Sequence, residues 1–166
     1  MELEKYHIQQ ARPWLERVRL AAREYHKRAA LMEELEATAE EVGAVDYTHE
    51  HVSGGDKVDR LAEYMDGLAL ARLEASAAMA TYKAEVDAAA KALKGIDPEA
   101  LHLLAAYYLS GAETLADAAK TMNEERERHG LKPITGSNLY KRHRDALLAA
   151  YEVTPAPWRD PRPRAY

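Results

Sequence analysis

Cysteine and phenylalanine are absent from this sequence of 166 residues, and only two tryptophans are present. Without cysteine the chain can form neither a disulfide nor a thiolate metal site, which suits a reducing cytoplasm. Aromatic residues make up 7% although hydrophobic residues reach 47%, so much of the apolar content is alanine. Alanine is the best helix former and buries little area, so the composition predicts an all-α fold with helices packed at close range.

Long apolar runs are also missing, because no stretch approaches the roughly 18 apolar residues of a membrane span. The start of the chain, Met1-Glu-Leu-Glu-Lys5, lacks the basic residues and the apolar run of a signal peptide. We therefore expect a cytoplasmic protein without a membrane partner.

The net charge of −5 is unevenly distributed along the chain. Residues 131–166 contain seven Lys or Arg and three acids, giving +4, so residues 1–130 carry −9. An acidic front and a basic end are expected if one end touches a polyanion, although chance segregation on solvated helices gives the same pattern.

Residues 1–95 are predicted to form a long antiparallel helical hairpin. Apolar residues recur at three and four spacing over residues 3–42, which predicts one long helix or two abutting ones, with Pro13 as the expected break and Gly43 as the end. After a loop over residues 43–56, a second stripe continues to Leu93 with Arg72 as its one charged member. This stripe consists of Val58, Leu61, Met65, Leu68, Arg72, Ala75, Met79, Tyr82, Val86, Ala89 and Leu93.

A helix of that length with one narrow stripe needs a partner along its whole length. The first helix supplies one, and because two helices alone bury little surface we expect a homodimer, with a monomeric hairpin as the alternative. Arg72 is expected to pair with an acid across the stripe or to set its register.

Residues 96–152 contain the pattern on which the functional interpretation depends. Asp97-Pro-Glu99 predicts a helix start, and Gly111 closes that helix. Leu115, Ala118, Ala119 and Met122 predict one apolar helix face, with Asn123 suited to the helix end. A further helix is predicted by Leu139, His143, Ala146, Leu147 and Ala150, with Thr135 or Ser137 as its cap.

The last two of these predicted helices together resemble the helix-turn-helix in region four of bacterial sigma factors. The residues that carry the resemblance are Thr114-Leu-Ala-Asp-Ala-Ala-Lys-Thr-Met-Asn123 and Ile134-Thr-x-x-Asn-Leu-x-x-Arg-x-x-x-Ala-Leu147. Phage regulators of the ArpU late-transcription type carry a similar module. Leu103-Leu-Ala-Ala-Tyr-Tyr-Leu-Ser-Gly111 resembles the helix that precedes the helix-turn-helix in sigma-like domains. The chain departs from the family pattern at residues 124–133, an insertion where the family has a tight turn. Residues 124–129 are expected to prolong the first motif helix, and Gly130 is expected to stop it.

The resemblance implies a phage-derived regulator that binds double-stranded DNA, with RNA polymerase as a further partner. Ser137, Asn138, Tyr140 and Lys141 would face the major groove, with Asn138 suited to adenine and Lys141 to guanine. Contacts to the phosphate backbone would come from Lys141, Arg142 and Arg144, and from Thr114 and Lys120 on the first motif helix. The alternative function is a phage assembly protein, such as a small packaging subunit, in which the motif serves packing.

Enzyme activity and a cofactor are not expected. Glu4-x-x-His7 and Glu99-x-x-His102 each place a carboxylate and an imidazole on one helical face, as in di-iron carboxylate proteins, but both lie in first turns. His49 and His51 could contribute to a metal site only with further ligands that the neighbouring sequence does not offer. Neither metal interpretation is favoured over ordinary surface roles.

Residues 153–166 form a Pro/Arg-rich tail that excludes helix and strand interiors. Such a tail could lie in a minor groove, or it could pack Trp158 back onto the helices.

Overall fold

The computed structural model describes residues 2–43 and 55–159, with side chains described at 2–41 and 62–159. The predicted all-α fold is confirmed, since the described residues are helical and include no strand. The helices are α1 (Glu2–Gly43), α2 (Gly55–Leu93), α3 (Pro98–Leu104), α4 (Leu115–Arg128) and α5 (Gly136–Val153). A π-helical turn (Ala105–Leu109) continues α3, and a 3₁₀ turn (Ala156–Trp158) follows α5. His49 and His51 lie outside the described residues.

Helix α1 is continuous from Glu2 to Gly43 with Pro13 in its interior, so the single long helix is confirmed and the break expected at Pro13 is wrong. A proline there removes one backbone hydrogen bond, a cost of about 3 kcal/mol in a helix interior. Pro13 and Gln9, whose carbonyl loses that bond, are both exposed, while Trp14 and Leu15 beside them are buried. Water can solvate the freed carbonyl, and burial of the opposite face holds the helix together across the proline.

The chain divides into two compact units, the first made of Met1–Arg23 with Tyr82–Tyr166 and the second of Glu24–Thr81. This division differs from the predicted boundary between residues 95 and 96. The first unit takes in the start of α1 and the end of α2 because both contribute to its main core. That core contains Ala11, Trp14, Leu15, Val18, Ala89, Leu93, Leu104, Tyr108, Ala146, Leu147 and Ala150.

In the first unit, Arg19 of α1 holds the loop that leads into α4. Its side chain is buried, and it donates hydrogen bonds to the backbone oxygens of Ala112 at 3.0 Å and Glu113 at 2.6 Å. In the same loop Gly111 adopts φ +76°, and a Cβ built on it would lie 2.7 Å from Cβ of Ala22. Glycine is therefore required here both for its backbone conformation and for the close approach of α1.

The residues after α5 return to the main core of the first unit. Trp158 is partly buried against that core, and the guanidinium of Arg17 lies 5.8 Å from the centre of its ring. Thr154 ends α5, is fully buried, and donates from its hydroxyl to the backbone oxygen of Ala150 at 2.8 Å. The expectation that Trp158 packs back onto the helices is confirmed, whereas Arg162 and Arg164 lie outside the described residues.

In the second unit, ion pairs join α1 to α2. Arg28 lies 2.5 Å from Glu74, and Arg72 lies 2.9 Å from Glu36. The expected pairing of Arg72 with an acid of the other helix is therefore confirmed. Because the position on α1 rises while that on α2 falls, the two helices run in opposite directions here.

The buried stripe of α2 differs in part from the predicted one. Leu68 and Ala75 are buried as expected, but Ala71 is buried between them while Met65 and Met79 are about half exposed. A strict three-four alternation repeats every 3.5 residues, whereas a straight α-helix has 3.6 residues per turn. The face that meets α1 therefore drifts around α2, so Met65 and Met79 turn partly into solvent, whereas Ala89 and Leu93 at the end of the predicted stripe are buried in the main core of the first unit. In the described part of the chain, no helix is long and apolar enough to cross a membrane.

Candidate nucleic-acid interface

Helix α4 begins with a capping box that fixes its first turn. Asp117 donates its backbone N–H to the Thr114 hydroxyl at 3.1 Å, and the Thr114 backbone N–H donates to the Asp117 carboxylate at 3.0 Å. The reciprocal pair satisfies two of the backbone donors that a helix start leaves open. The predicted apolar face is confirmed, because Leu115, Ala118, Ala119 and Met122 are all buried.

Asn123 joins α4 to the segment that enters α5. Its side-chain Nδ2 donates to the Ile134 oxygen at 2.9 Å, and its Oδ1 accepts from the Ile134 nitrogen at 2.8 Å. The side chain thereby pairs with a backbone as a second peptide group would. Asn123 is not the end of the helix, because α4 continues for five further residues to Arg128, and the predicted prolongation through the insertion is confirmed.

The insertion of residues 124–133 prolongs α4 and then reverses direction at Gly130. The backbone N–H of Leu131 donates to the Arg126 oxygen and that of Gly130 to the Glu127 oxygen, both at 2.9 Å. Gly130 has φ +67°, and this pair of hydrogen bonds defines a Schellman helix end. Arg126 also donates from Nε to the Lys132 oxygen at 3.0 Å. Hydrogen bonds therefore join the inserted residues to α4 at the turn around Gly130 and again at Lys132.

Helix α5 begins after Thr135, whose side chain makes no capping hydrogen bond. Its buried face consists of Leu139, His143, Ala146, Leu147 and Ala150, as the sequence predicts. Leu139 packs with Ile134 and Met122 of the preceding elements in a second core cluster. The face of α5 that carries these residues is therefore fixed by packing, and the opposite face is left for solvent.

The residues predicted to meet base edges lie on that opposite face. Ser137, Asn138, Tyr140 and Lys141 are all exposed, and Tyr140 keeps 69% of its surface accessible. All four side chains are therefore accessible at the start of α5.

The residues predicted to touch phosphates fall into two groups. Lys120 on α4 and Arg144 on α5 are exposed, and Arg144 lies 3.5 Å from the carboxylate of its neighbour Asp145. Thr114 is exposed as well, but its hydroxyl is engaged with Asp117 in the capping box. These positions leave Lys120, Lys141 and Arg144 as the accessible cations among the predicted residues.

Arg142 has a different environment from the other predicted residues. It is half-buried, and its guanidinium pairs with Glu99 at the start of α3, as does Arg126 of α4 at 2.9 Å. One carboxylate of α3 therefore joins α4 and α5. In this structure Arg142 is an internal cation of the helix packing, a role that the sequence alone did not suggest.

In one of the two Glu-x-x-His patterns, Glu99 and His102 are both engaged with other side chains. Glu99 contacts two arginines, and His102 lies with Nε2 at 3.1 Å from the carboxylate of Glu125. Asp97 caps α3 by accepting hydrogen bonds from the backbone of Glu99 and Ala100, as predicted. Among the described residues no group of three or more His, Cys, Asp or Glu is arranged to hold a metal ion.

A buried Tyr–His pair connects α5 to the π-helical turn. The Tyr108 hydroxyl and His143 Nε2 are 3.0 Å apart, and both side chains are buried. Burial lowers the pKa of His143 from its usual 6.5 to about 4, and the positive charge of Arg12 acts in the same direction. Burial also raises the pKa of the Tyr108 hydroxyl. The pair is therefore neutral near pH 7 and serves as a hydrogen-bonded core contact beneath the exposed face of α5.

Comparison with protein-family models, with curated proteins and with solved structures finds no match to this chain.

Proposed function

We propose that the chain is a non-enzymatic, DNA-binding transcriptional regulator of phage or prophage origin. In this proposal α4 and α5 act as a helix-turn-helix similar to region four of sigma factors, residues 1–95 act as a helical hairpin for self-association, and the protein works as a homodimer in the cytoplasm. Its partners are double-stranded DNA and, by the same resemblance, RNA polymerase.

The observation that carries the proposal is the two-sided character of α5. One face is packed by Leu139, His143 and Leu147, while the other leaves Asn138, Tyr140 and Lys141 exposed. A recognition helix needs this combination, because it must be rigidly held and yet free to enter a major groove.

Each exposed side chain has a chemistry suited to duplex DNA. The Asn138 amide can donate to and accept from adenine, and the Lys141 ammonium can donate to the guanine acceptors. Lys120, Lys141 and Arg144 can displace counterions from phosphates, and the Ser137 and Tyr140 hydroxyls can add neutral hydrogen bonds. Thr114, at the exposed start of α4, can contact the phosphate backbone as well. For Arg142 we propose that the ion pair with Glu99 positions α5 and that direct phosphate contact comes from its neighbours.

Binding to random-sequence duplex DNA, measured by fluorescence anisotropy over a range of salt concentrations, tests this function. The double variant Lys141→Ala plus Arg144→Ala should weaken binding and reduce the salt slope by about two, since each phosphate-binding cation contributes about one. The matched control is Lys91→Ala plus Lys94→Ala, which removes the same charge from exposed positions of the α2 end and its exit.

Loss of binding in the α5 variant alone supports the proposal. Equal weakening in the control pair would mean that only net charge matters, and absence of salt-dependent binding in the unaltered protein would favour an assembly protein. Circular dichroism of each variant checks that helix content is retained. Selection of bound sequences from random duplexes then gives the preferred site.

A further inference from the structure

The exposed side of α2 in the second unit is apolar over several turns. Between positions 69 and 81 the charged residues are Arg72 and Glu74, and each is paired with a residue of α1, Arg72 with Glu36 and Glu74 with Arg28. Leu70 and Leu73 keep 57% and 69% of their surfaces accessible. Two leucines this exposed on one helix face make the surface a candidate for contact with another molecule.

The neighbouring helix of the same unit has an exposed side of the opposite character. Between positions 24 and 41, exposed residues of α1 include Lys27, Glu33, Glu34 and Glu40. In this unit, exposed charged residues are therefore frequent on α1 and rare on α2 between positions 69 and 81. The contrast indicates that α1 faces solvent in the working protein and that α2 does not.

Four of the exposed apolar residues of α2 fall on one line. Leu70, Leu73, Ala77 and Ala80 follow each other at spacings of three, four and three, all are exposed, and we call them the outer stripe. The buried stripe that meets α1 contains Leu68, Ala71 and Ala75 instead. Helix α2 therefore has two apolar stripes, and α1 covers one of them.

We infer that the outer stripe is the docking surface for a second copy of this chain, with the two α2 helices antiparallel. Inverting the stripe about a two-fold axis near position 75 sets Leu70 against Ala80 of the partner subunit and Leu73 against Ala77 of the partner subunit. A large residue then meets a small one at every level, the arrangement by which facing helices interdigitate at close range.

The charge of Asp66 favours the antiparallel arrangement over the parallel one. Asp66 is exposed and lies at the start of the stripe, four residues before Leu70. Parallel helices in register would bring Asp66 directly against the same residue of the second copy, and like charges in contact are unfavourable. Antiparallel helices place the two carboxylates at opposite ends of the contact. The outer stripe is therefore self-complementary when the two helices are antiparallel.

This inference rests on the proposed function, because both include self-association. It adds the surface that forms the dimer, and its test does not involve DNA. Sedimentation equilibrium of the full chain should show a dimer, and Leu73→Glu should raise its dissociation constant at least about tenfold because it places a charge in the apolar contact. Leu70→Glu should do the same. The matched control is Leu31→Glu, the same change at an exposed leucine of α1.

The absence of cysteine permits single nitroxide labels to report the orientation. In the antiparallel pair, labels at Ser76→Cys lie close to the two-fold axis, whereas labels at Met65→Cys are separated by about 30 Å along the helix axis. Short distances at both positions would indicate parallel helices and overturn the inference. So would a monomeric unaltered chain, a Leu73→Glu variant that remains dimeric with unchanged helix content, or a Leu31→Glu control that dissociates equally. A dimer of this kind that does not bind DNA would leave the inference standing and overturn only the proposed function.

Discussion

The side chain of Asn123 makes two hydrogen bonds to the backbone of Ile134, from Nδ2 to the oxygen at 2.9 Å and from the nitrogen to Oδ1 at 2.8 Å. Ile134 is buried, so both of its backbone groups would otherwise lack water as a partner. This contact bridges the ten inserted residues and sets where α5 begins relative to α4.

Replacing Asn123 by alanine should therefore destabilise the first unit. We expect a loss of about 2 kcal/mol in the free energy of unfolding, because a buried donor and acceptor are left unpaired. Urea unfolding followed by circular dichroism measures it. The matched control, Asn138→Ala on the exposed face of α5, should change stability by less than about 0.5 kcal/mol while weakening DNA binding. Equal stability losses in the two variants would contradict this account.

Substitution of Arg142 should affect stability more than that of Arg144. Arg142 is half-buried and shares Glu99 with Arg126, whereas Arg144 is exposed. We expect Arg142→Ala to lower the unfolding free energy by about 1 kcal/mol and Arg144→Ala to leave it nearly unchanged. A double-mutant cycle of Arg142→Ala with Glu99→Ala measures the coupling between the two charges. Zero coupling would remove Arg142 from its assigned positioning role.

Replacing Gly111 by alanine should lower the stability of the protein more than replacing Gly130 by alanine. Both have positive φ, but a Cβ at Gly111 would lie 2.7 Å from Ala22, whereas nothing lies within 4 Å of a Cβ at Gly130. Gly130→Ala should cost about 1 kcal/mol for its backbone conformation alone. Gly111→Ala should cost clearly more, because α1 must also move. Thermal unfolding of the two variants decides the matter, and equal melting temperatures would refute the close contact.

Acidification should destabilise the first unit through His143. Between pH 6.5 and about 4 the unfolded imidazole binds a proton that the buried one does not, so stability present above pH 6.5 is lost as the pH falls towards 4. The loss attributable to this group is on the order of 2–3 kcal/mol.

The variant His143→Gln removes the titrating group. Urea unfolding at pH 7 and pH 4 should show a smaller difference in this variant than in the unaltered protein. The exposed His129 provides the control, and His129→Gln should retain the pH dependence of the unaltered protein. A His143→Gln variant with that same full dependence would show that other groups cause the acid sensitivity.

Local patterns in the sequence predicted the helices and their buried faces well. The faces of α4 and α5 were predicted residue by residue, and so was the cap at Asp97, because each depends on neighbours within one or two turns. The exposure of Asn138, Tyr140 and Lys141 follows from the same periodicity. Such features are encoded in contiguous residues and can be read without a tertiary structure.

Contacts between distant residues could not be predicted in this way. Glu99 with Arg142, Tyr108 with His143, and Arg19 with the loop at Ala112 and Glu113 each join segments far apart in the sequence. The incorporation of the α1 start and the α2 end into the first unit has the same origin. The break predicted at Pro13 fails for the complementary reason, because packing of neighbouring residues outweighs an unfavourable local preference.

The π-helical turn after α3 alters how this stretch can be compared with other helices. Its backbone N–H at Ser110 donates to the oxygen of Ala105, five residues earlier, at 3.0 Å, so one residue more is accommodated than in an ordinary helical turn. A related chain whose helix is regular here would need a one-residue gap between positions 105 and 110 to bring its residues into correspondence. Deleting one residue of the turn, such as Ala106, would therefore leave a regular α-helix whose flanking residues correspond to those of such a chain.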